Sequence, residues 1–175
     1  MKRVALAAAV ALAAACGTPT LKTAEITYFS KQAAVESAPG CVIVVDSRLR
    51  TAAHGWSLPK AQLQDWLVAG LQARTGVEAF YTESPPLDAP YLSLDRAYIK
   101  HITTSMAGVA VLTAHNQGTE TSVRGNMTRM NWRGDTSEFS RVLSQALNKA
   151  IAKAPLQTVI LDDCPPADAN SSSQD

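Results

Sequence analysis

The chain has 175 residues, 46% of them apolar, 18% charged and 6% aromatic, with a formal net charge of +1. That length supports one domain, and the ordinary apolar share excludes wholesale disorder. Near-neutral charge argues against a dedicated nucleic-acid binder, which carries a basic face, and three cysteines are too few for a disulfide scaffold.

The first predicted element is a targeting segment. Lys2 and Arg3 precede an unbroken apolar run from Val4 to Ala15. Such a run spans about 18 Å as a helix, short of the roughly 30 Å of a bilayer core, so it reads as a secretory signal rather than a membrane span. Ala13-Ala14-Ala15-Cys16-Gly17 resembles a bacterial lipobox, with Leu12 one place upstream of where such signals prefer leucine. In lipoproteins that cysteine is thioether-linked to diacylglycerol and becomes the acylated first residue. The other reading is a plain signal peptide cleaved near Ala15, with Cys16 incidental. Residues 1–15 are therefore predicted as signal peptide and Cys16 as the lipidation site, its several acyl chains giving stable membrane attachment. Gly17, rather than aspartate, after the cysteine points to the outer membrane, periplasmic side, with the inner membrane as the alternative. Loss of Lys2 and Arg3 lowers the basic count from 16 to 14 against 15 acids, so the mature charge is about −1.

Residues 16–40 are predicted as the lipidated cysteine and a tether, in which Ile26 to Phe29 is a candidate short strand. Residues 41–164 form a single α+β domain, and Pro165 to Asp175 (PPADANSSSQD) a disordered tail. Within the domain, Cys41 to Arg48 is a Val/Ile-rich run suited to a central strand. Ser57 and Pro59 open a helix that Gly76 ends after Arg74, with Leu63, Trp66, Leu67, Gly70 and Leu71 on one stripe. Val77 to Thr82 reads as a short strand. Leu92 to Thr103 and Ala107 to His115 read as strands joined by a Thr104-Ser105-Met106 turn, and Asn116-Gln117-Gly118 turns into a strand from Ser122 to Trp132. Asp135 and Glu138 make a capping box for a helix in which Phe139, Val142, Leu143, Ala146, Leu147, Ala150 and Ile151 hold the period. Lys149 and Lys153 suit its C-terminal end, and Pro155 stops it. Thr158 to Asp162 is the last predicted strand. The fold class is α+β, an antiparallel sheet with two amphipathic helices packed on one face.

Cys41 opens the first strand and Cys164 follows the last. If those strands pair antiparallel, the two cysteines meet at the sheet edge and form a disulfide, which an oxidising periplasm permits. Two unpaired thiols are the other reading.

No catalytic constellation emerges. His54, His101 and His115 stand apart in sequence, with no H-x-x-x-H or C-x-x-C spacing, so neither metal nor cofactor is predicted. His101 is placed on the solvated face of its strand. Ser57 lacks a G-x-S-x-G setting and is better explained as a helix cap. Asp46 is read as ending a strand and Asp95 as pairing with an arginine across the sheet. Gly125 and Gly134 stand alone and form no phosphate loop. The chain is read as no enzyme. One segment is unusual: Arg124, Arg129, Trp132 and Arg133 cluster with Met127 and Met130. Arg, Met and Trp favour interface cores, so these residues are a candidate partner contact; a half-buried strand with arginines in surface ion pairs is the alternative.

The order of elements over residues 41–162 is similar to small Gram-negative lipoproteins of the ABC-transport auxiliary type and of the YajG type. These run from a lipidated cysteine through an apolar strand, a helix like Leu58 to Arg74, an antiparallel meander and an Ala/Leu-rich helix like Glu138 to Ala154. The chain has Leu49 to Gly55 in place of the auxiliary family's segment after the first strand, and no functional residue is carried over. The resemblance implies a noncatalytic, periplasm-facing accessory component of an envelope assembly, working in lipid or envelope-component transport through a protein partner. A lipoprotein that binds a small ligand, lipid or glycan, is the alternative.

Overall fold

The computed structural model describes residues 39–48, 60–102, 104–130 and 136–164. The expected signal peptide (residues 1–15), Cys16, the expected tether up to residue 38, His54, Ser57, Trp132, Arg133, Asp135 and the expected tail lie outside them. The elements are β1 (Cys41–Asp46), α1 (Lys60–Thr75), β2 (Glu78–Thr82), β3 (Tyr91–Ile102), β4 (Ser105–Asn116), β5 (Thr119–Met130), α2 (Thr136–Lys153) and β6 (Ile160–Leu161). Together they make an α+β fold of two helices and a six-stranded sheet ordered β2-β1-β3-β4-β5, with β6 paired to β1.

The sheet is mixed rather than wholly antiparallel. β1 runs parallel to both β2 and β3, whereas β3–β4, β4–β5 and β1–β6 are antiparallel. The cause is the strand–helix–strand order at the start: a helical crossover returns the chain to the same end of the sheet, so β2 must run with β1. β1 is buried along Cys41–Val45, as a central strand covered on both faces should be. One side of it is taken by β2 along Cys41–Val45. Its other side is shared, with β6 opposite Cys41 and Val42 and β3 opposite Val44 to Asp46.

α1 ends where Gly76 adopts φ 69°, its N–H donating to Gln72 O at 2.9 Å. Leu63, Trp66, Leu67 and Leu71 are fully buried. The contrast between the sides of α1 is weaker than the stripe predicts, because Val68 and Ala73 also pack against the core. The β4–β5 hairpin turns through Gln117 (φ 47°) and Gly118 (φ 78°), the left-handed pair that a two-residue loop requires. Several expected boundaries differ; β1 ends at Asp46, short of Arg48, and β5 already begins at Thr119, before Ser122. Ser105 and Met106 belong to β4 rather than to a turn, and the final strand shrinks to Ile160–Leu161 because Leu156–Thr158 winds into a 3-10 turn.

All seven periodic residues of α2, Phe139 to Ile151, are buried. They join α1 and residues of β1, β3 and β4 in one apolar cluster. α2 lies against β4 and β5 at backbone contact: a Cβ at Gly108 would meet Val142 O at 2.7 Å, and one at Gly125 would meet Ala150 N at 2.5 Å and collide with Ala146 O. Gly125 is thus the space that the helix backbone occupies, not an isolated glycine. Among the described strands β5 lies at an edge of the sheet, and the end of α2 blunts it. Lys153 Nζ donates to Arg124 O at 3.1 Å, and Lys149 Nζ sits 3.5 Å from Met127 Sδ.

The cysteines that bracket the domain meet. Cys41 and Cys164, 123 residues apart in sequence, have Cα atoms 5.6 Å apart and their sulfurs at disulfide distance.

Candidate functional site

Strand alternation and hairpin geometry bring a polar cluster together on β3, β4 and β5. The tight Gln117-Gly118 turn sets His115 opposite Glu120 and Thr113 opposite Ser122. The β3–β4 register sets Tyr91 opposite His115 and Ser93 opposite Thr113. Two rows result, Tyr91–His115–Glu120 and Ser93–Thr113–Ser122. Their neighbours Leu92, Leu112 and Ala114 point the other way, into the apolar cluster. A register shift between Leu94 and Arg96 then bulges β3 at Asp95. The bulge keeps Leu92 and Leu94 before it, and Ile99 after it, in the core, while Asp95 is left beside Ser93.

Asp95 is the centre of the cluster. Ser47 Oγ donates to its Oδ1 at 2.7 Å, Ser93 Oγ donates to the same oxygen at 2.6 Å, and Thr113 Oγ1 donates to Oδ2. It accepts three hydroxyls rather than pairing with an arginine across the sheet. Asp46 does end β1, and its partner is Arg48, whose Nη2 lies 2.6 Å from Oδ2. A hydroxyl has one proton to give, so the remaining contacts are ordered as well. Ser122 donates to Thr113 Oγ1 across 2.7 Å, because the Thr113 proton already goes to Asp95.

His115 is not isolated. Its Nε2 lies 2.9 Å from Ser93 Oγ, its Nδ1 lies 3.3 Å from Glu120 Oε1, and its ring stacks on Tyr91 with centroids 4.3 Å apart. The line Glu120–His115–Ser93 has the outline of a carboxylate–imidazole–hydroxyl relay, but Ser93 has a second acceptor. A general base needs a ring lone pair facing the nucleophile's O–H. Here Asp95 Oδ1, at 2.6 Å, competes with Nε2, at 2.9 Å, for the one Ser93 proton. Ser93 is also only 2% exposed, out of reach of a substrate carbonyl. Burial, then the carboxylates of Glu120 and Asp95, push the Tyr91 hydroxyl above its ordinary value, which keeps it neutral.

The cluster therefore ties β3, β4 and the residue after β1 together through one carboxylate, with β5 joined through Ser122 on Thr113. Asp95→Ala strips three hydroxyls of their acceptor and should lower stability by about 2 kcal/mol. Urea denaturation measures it, and an unchanged midpoint would show that water replaces the carboxylate without loss.

Of the candidate contact residues, the two described, Arg124 and Arg129, do not converge. Arg124 is exposed on the same sheet face as the polar rows, its Nε donating to Asn126 Oδ1 at 2.7 Å. Arg129 lies on the opposite face of β5, in register with Met106. Trp132 and Arg133 lie outside the described residues, as does the side chain of His101. Exposed Arg96 and Lys100 flank Arg124 on the sheet face. Through Val111, Arg96 and Arg124 form one cross-strand row. Among the described residues, no three His, Cys, Asp or Glu side chains group as a metal site, and no helix is long and apolar enough to cross a membrane.

Sequence reasoning took the three histidines singly and so missed this cluster. Its signal was the period-two spacing of polar residues in three successive segments, Tyr91-Ser93, Thr113-His115 and Glu120-Ser122, about a turn whose position was legible.

No family model matches the chain, and no curated protein matches it. Among solved structures it is similar to one described as an uncharacterized protein, with 15% sequence identity over 67% of this chain and 92% of that one and a TM-score of 0.46.

Proposed function

We propose that the protein is a noncatalytic, lipid-anchored lipoprotein facing the periplasm, an accessory component that docks onto an envelope assembly in lipid or envelope-component transport. Both helices are read as one layer over one face of the sheet, which leaves the other face of β3–β5 for contact. The observation that carries the reading is that face: Arg96, Lys100 and Arg124 are exposed on it, beside hydroxyls that bond to the Asp95 carboxylate. It is built for recognition rather than turnover. The juxtaposed Cys41 and Cys164 suit an oxidising compartment, and Cys16 in its lipobox-like setting supplies the anchor.

Two measurements test this. Cys16→Ser should move the protein from the membrane fraction to the soluble periplasmic fraction; retention in the membrane overturns the anchor. A photo-crosslinker at position 124 of the lipidated protein should yield a discrete crosslinked species with an envelope protein, lost on Arg96→Glu. No discrete species above the unirradiated control overturns the docking reading.

A further inference from the structure

The hairpin that joins β4 to β5 also fixes which way the backbone of β5 faces. In a two-residue hairpin the residues flanking the loop, here Asn116 and Thr119, form a hydrogen-bonded pair, and the pairs alternate from there along the ladder. The register runs on without a shift to Met130. Thr119, Thr121, Val123, Gly125, Met127 and Arg129 therefore give their N–H and C=O to β4, while Glu120, Ser122, Arg124, Asn126 and Thr128 turn theirs outward. The bond from Lys153 Nζ to Arg124 O at 3.1 Å agrees with this, since α2 meets that carbonyl at the open side of the strand. Among the described residues, Lys153 is the only group that bonds to the outward row.

Charge decides what can pair there. Arg124 is exposed on one face of β5, and Lys149 and Lys153, exposed on α2, reach the edge from the other. Among the described residues, no carboxylate pairs with any of the three. Glu120 is the one acid of β5, and it lies 3.3 Å from His115 Nδ1. An incoming strand thus meets cations on both of its faces. A neutral or basic strand displaces the Lys153 ammonium from Arg124 O and gives it nothing in return, which is how lysines protect an edge. A strand that carries carboxylates offers a stronger, charge-assisted acceptor and releases Arg124 O to a new ladder. The lysines make the edge selective rather than closed.

We propose that the outer edge of β5 accepts an added strand from an extended, acidic segment of a partner protein. Its backbone pairs with Ser122, Arg124 and Asn126, and its carboxylates meet Lys149, Lys153 and Arg124. This rests on the docking reading and names the part of the partner that β5 holds.

The probe is a short peptide alternating glutamate and threonine, titrated by NMR into the full mature chain carrying Cys16→Ser, with its lysine–threonine counterpart as control. Saturable binding of the glutamate peptide is expected. Solvent exchange should slow at the amides of Ser122, Arg124 and Asn126 and stay unchanged at Val123 and Gly125, which already face β4. The lysine peptide should not bind. Lys149→Glu combined with Lys153→Glu, both at exposed positions, should weaken the glutamate peptide about tenfold or more and admit the lysine peptide. Equal binding of the two peptides by the parent, binding that leaves the three outward amides unprotected, or no saturable binding of the glutamate peptide overturns the proposal. So does protection of those amides without peptide that rises with protein concentration, which would assign the edge to a second copy of the chain. If the glutamate peptide fails to bind while the crosslink at position 124 still forms, docking stands on the sheet face and the edge alone is refuted.

Discussion

Gly125→Val should abolish or severely weaken folding, with a loss of roughly 3–5 kcal/mol. Ordinary overpacking is relieved when a flexible side chain moves aside. Here the obstruction is helix backbone, Ala146 O and Ala150 N, and moving it means lifting α2 from β5. Lifting α2 would open the contacts of Ala146, Leu147 and Ala150, all fully buried. Gly118→Ala is the control. Gly118 also has a positive φ, 78°, but nothing lies within 4 Å of its would-be Cβ, so only left-handed backbone strain of about 1 kcal/mol applies. Urea or thermal unfolding of the two variants reads the difference, and similar losses from both would show that α2 does not sit on β5 as described.

The second large effect is expected at the cysteines. Replacing Cys41 and Cys164 together by serine should cost about 4–5 kcal/mol in the chain-entropy view, because a bridge between residues 123 apart constrains most of the unfolded domain. Against a total stability of roughly 5–15 kcal/mol, that is a large fraction. The unfolding midpoint of the parent should fall on adding reductant, and that of the double-serine variant should not respond. A parent midpoint indifferent to reductant, together with two thiols that label in unreduced, denatured protein, would refute the bridge.

Legibility followed the range of the forces involved. The apolar period of α2 is a local signal, and each residue it marks is buried. The Gln117-Gly118 turn was equally local. The parallel pairing of β1 was readable in principle, because a continuous apolar run followed by a helix and a short strand is how a crossover unit reads; alternation of elements was weighed as an antiparallel meander instead. The bulge at Asp95 and the fit of α2 over Gly108 and Gly125 depend on contacts between segments far apart in sequence, and no spacing within one segment announces them. The same holds for the polar cluster. Ser47, Asp95, Thr113 and His115 each look unremarkable alone, and only the registers of three strands make Asp95 a shared acceptor. Arg124 and Arg129 carry the opposite lesson: period-two alternation in an extended strand already puts them on opposite faces, and the regular pairing of β5 keeps them there.

The meeting of Cys41 with Cys164 also bears on mechanics. The described domain begins its first strand at one of these residues and leaves its last at the other, with Cα atoms 5.6 Å apart. With the bridge closed, tension between the segment before Cys41 and the segment after Cys164 passes through a covalent link and bypasses the hydrogen-bonded ladders. The 123-residue span between them then adds no contour length when the two ends are pulled. A protein held to a membrane at one end and engaged at the other would transmit load without being drawn out. Reduction would turn the same domain into an extensible element.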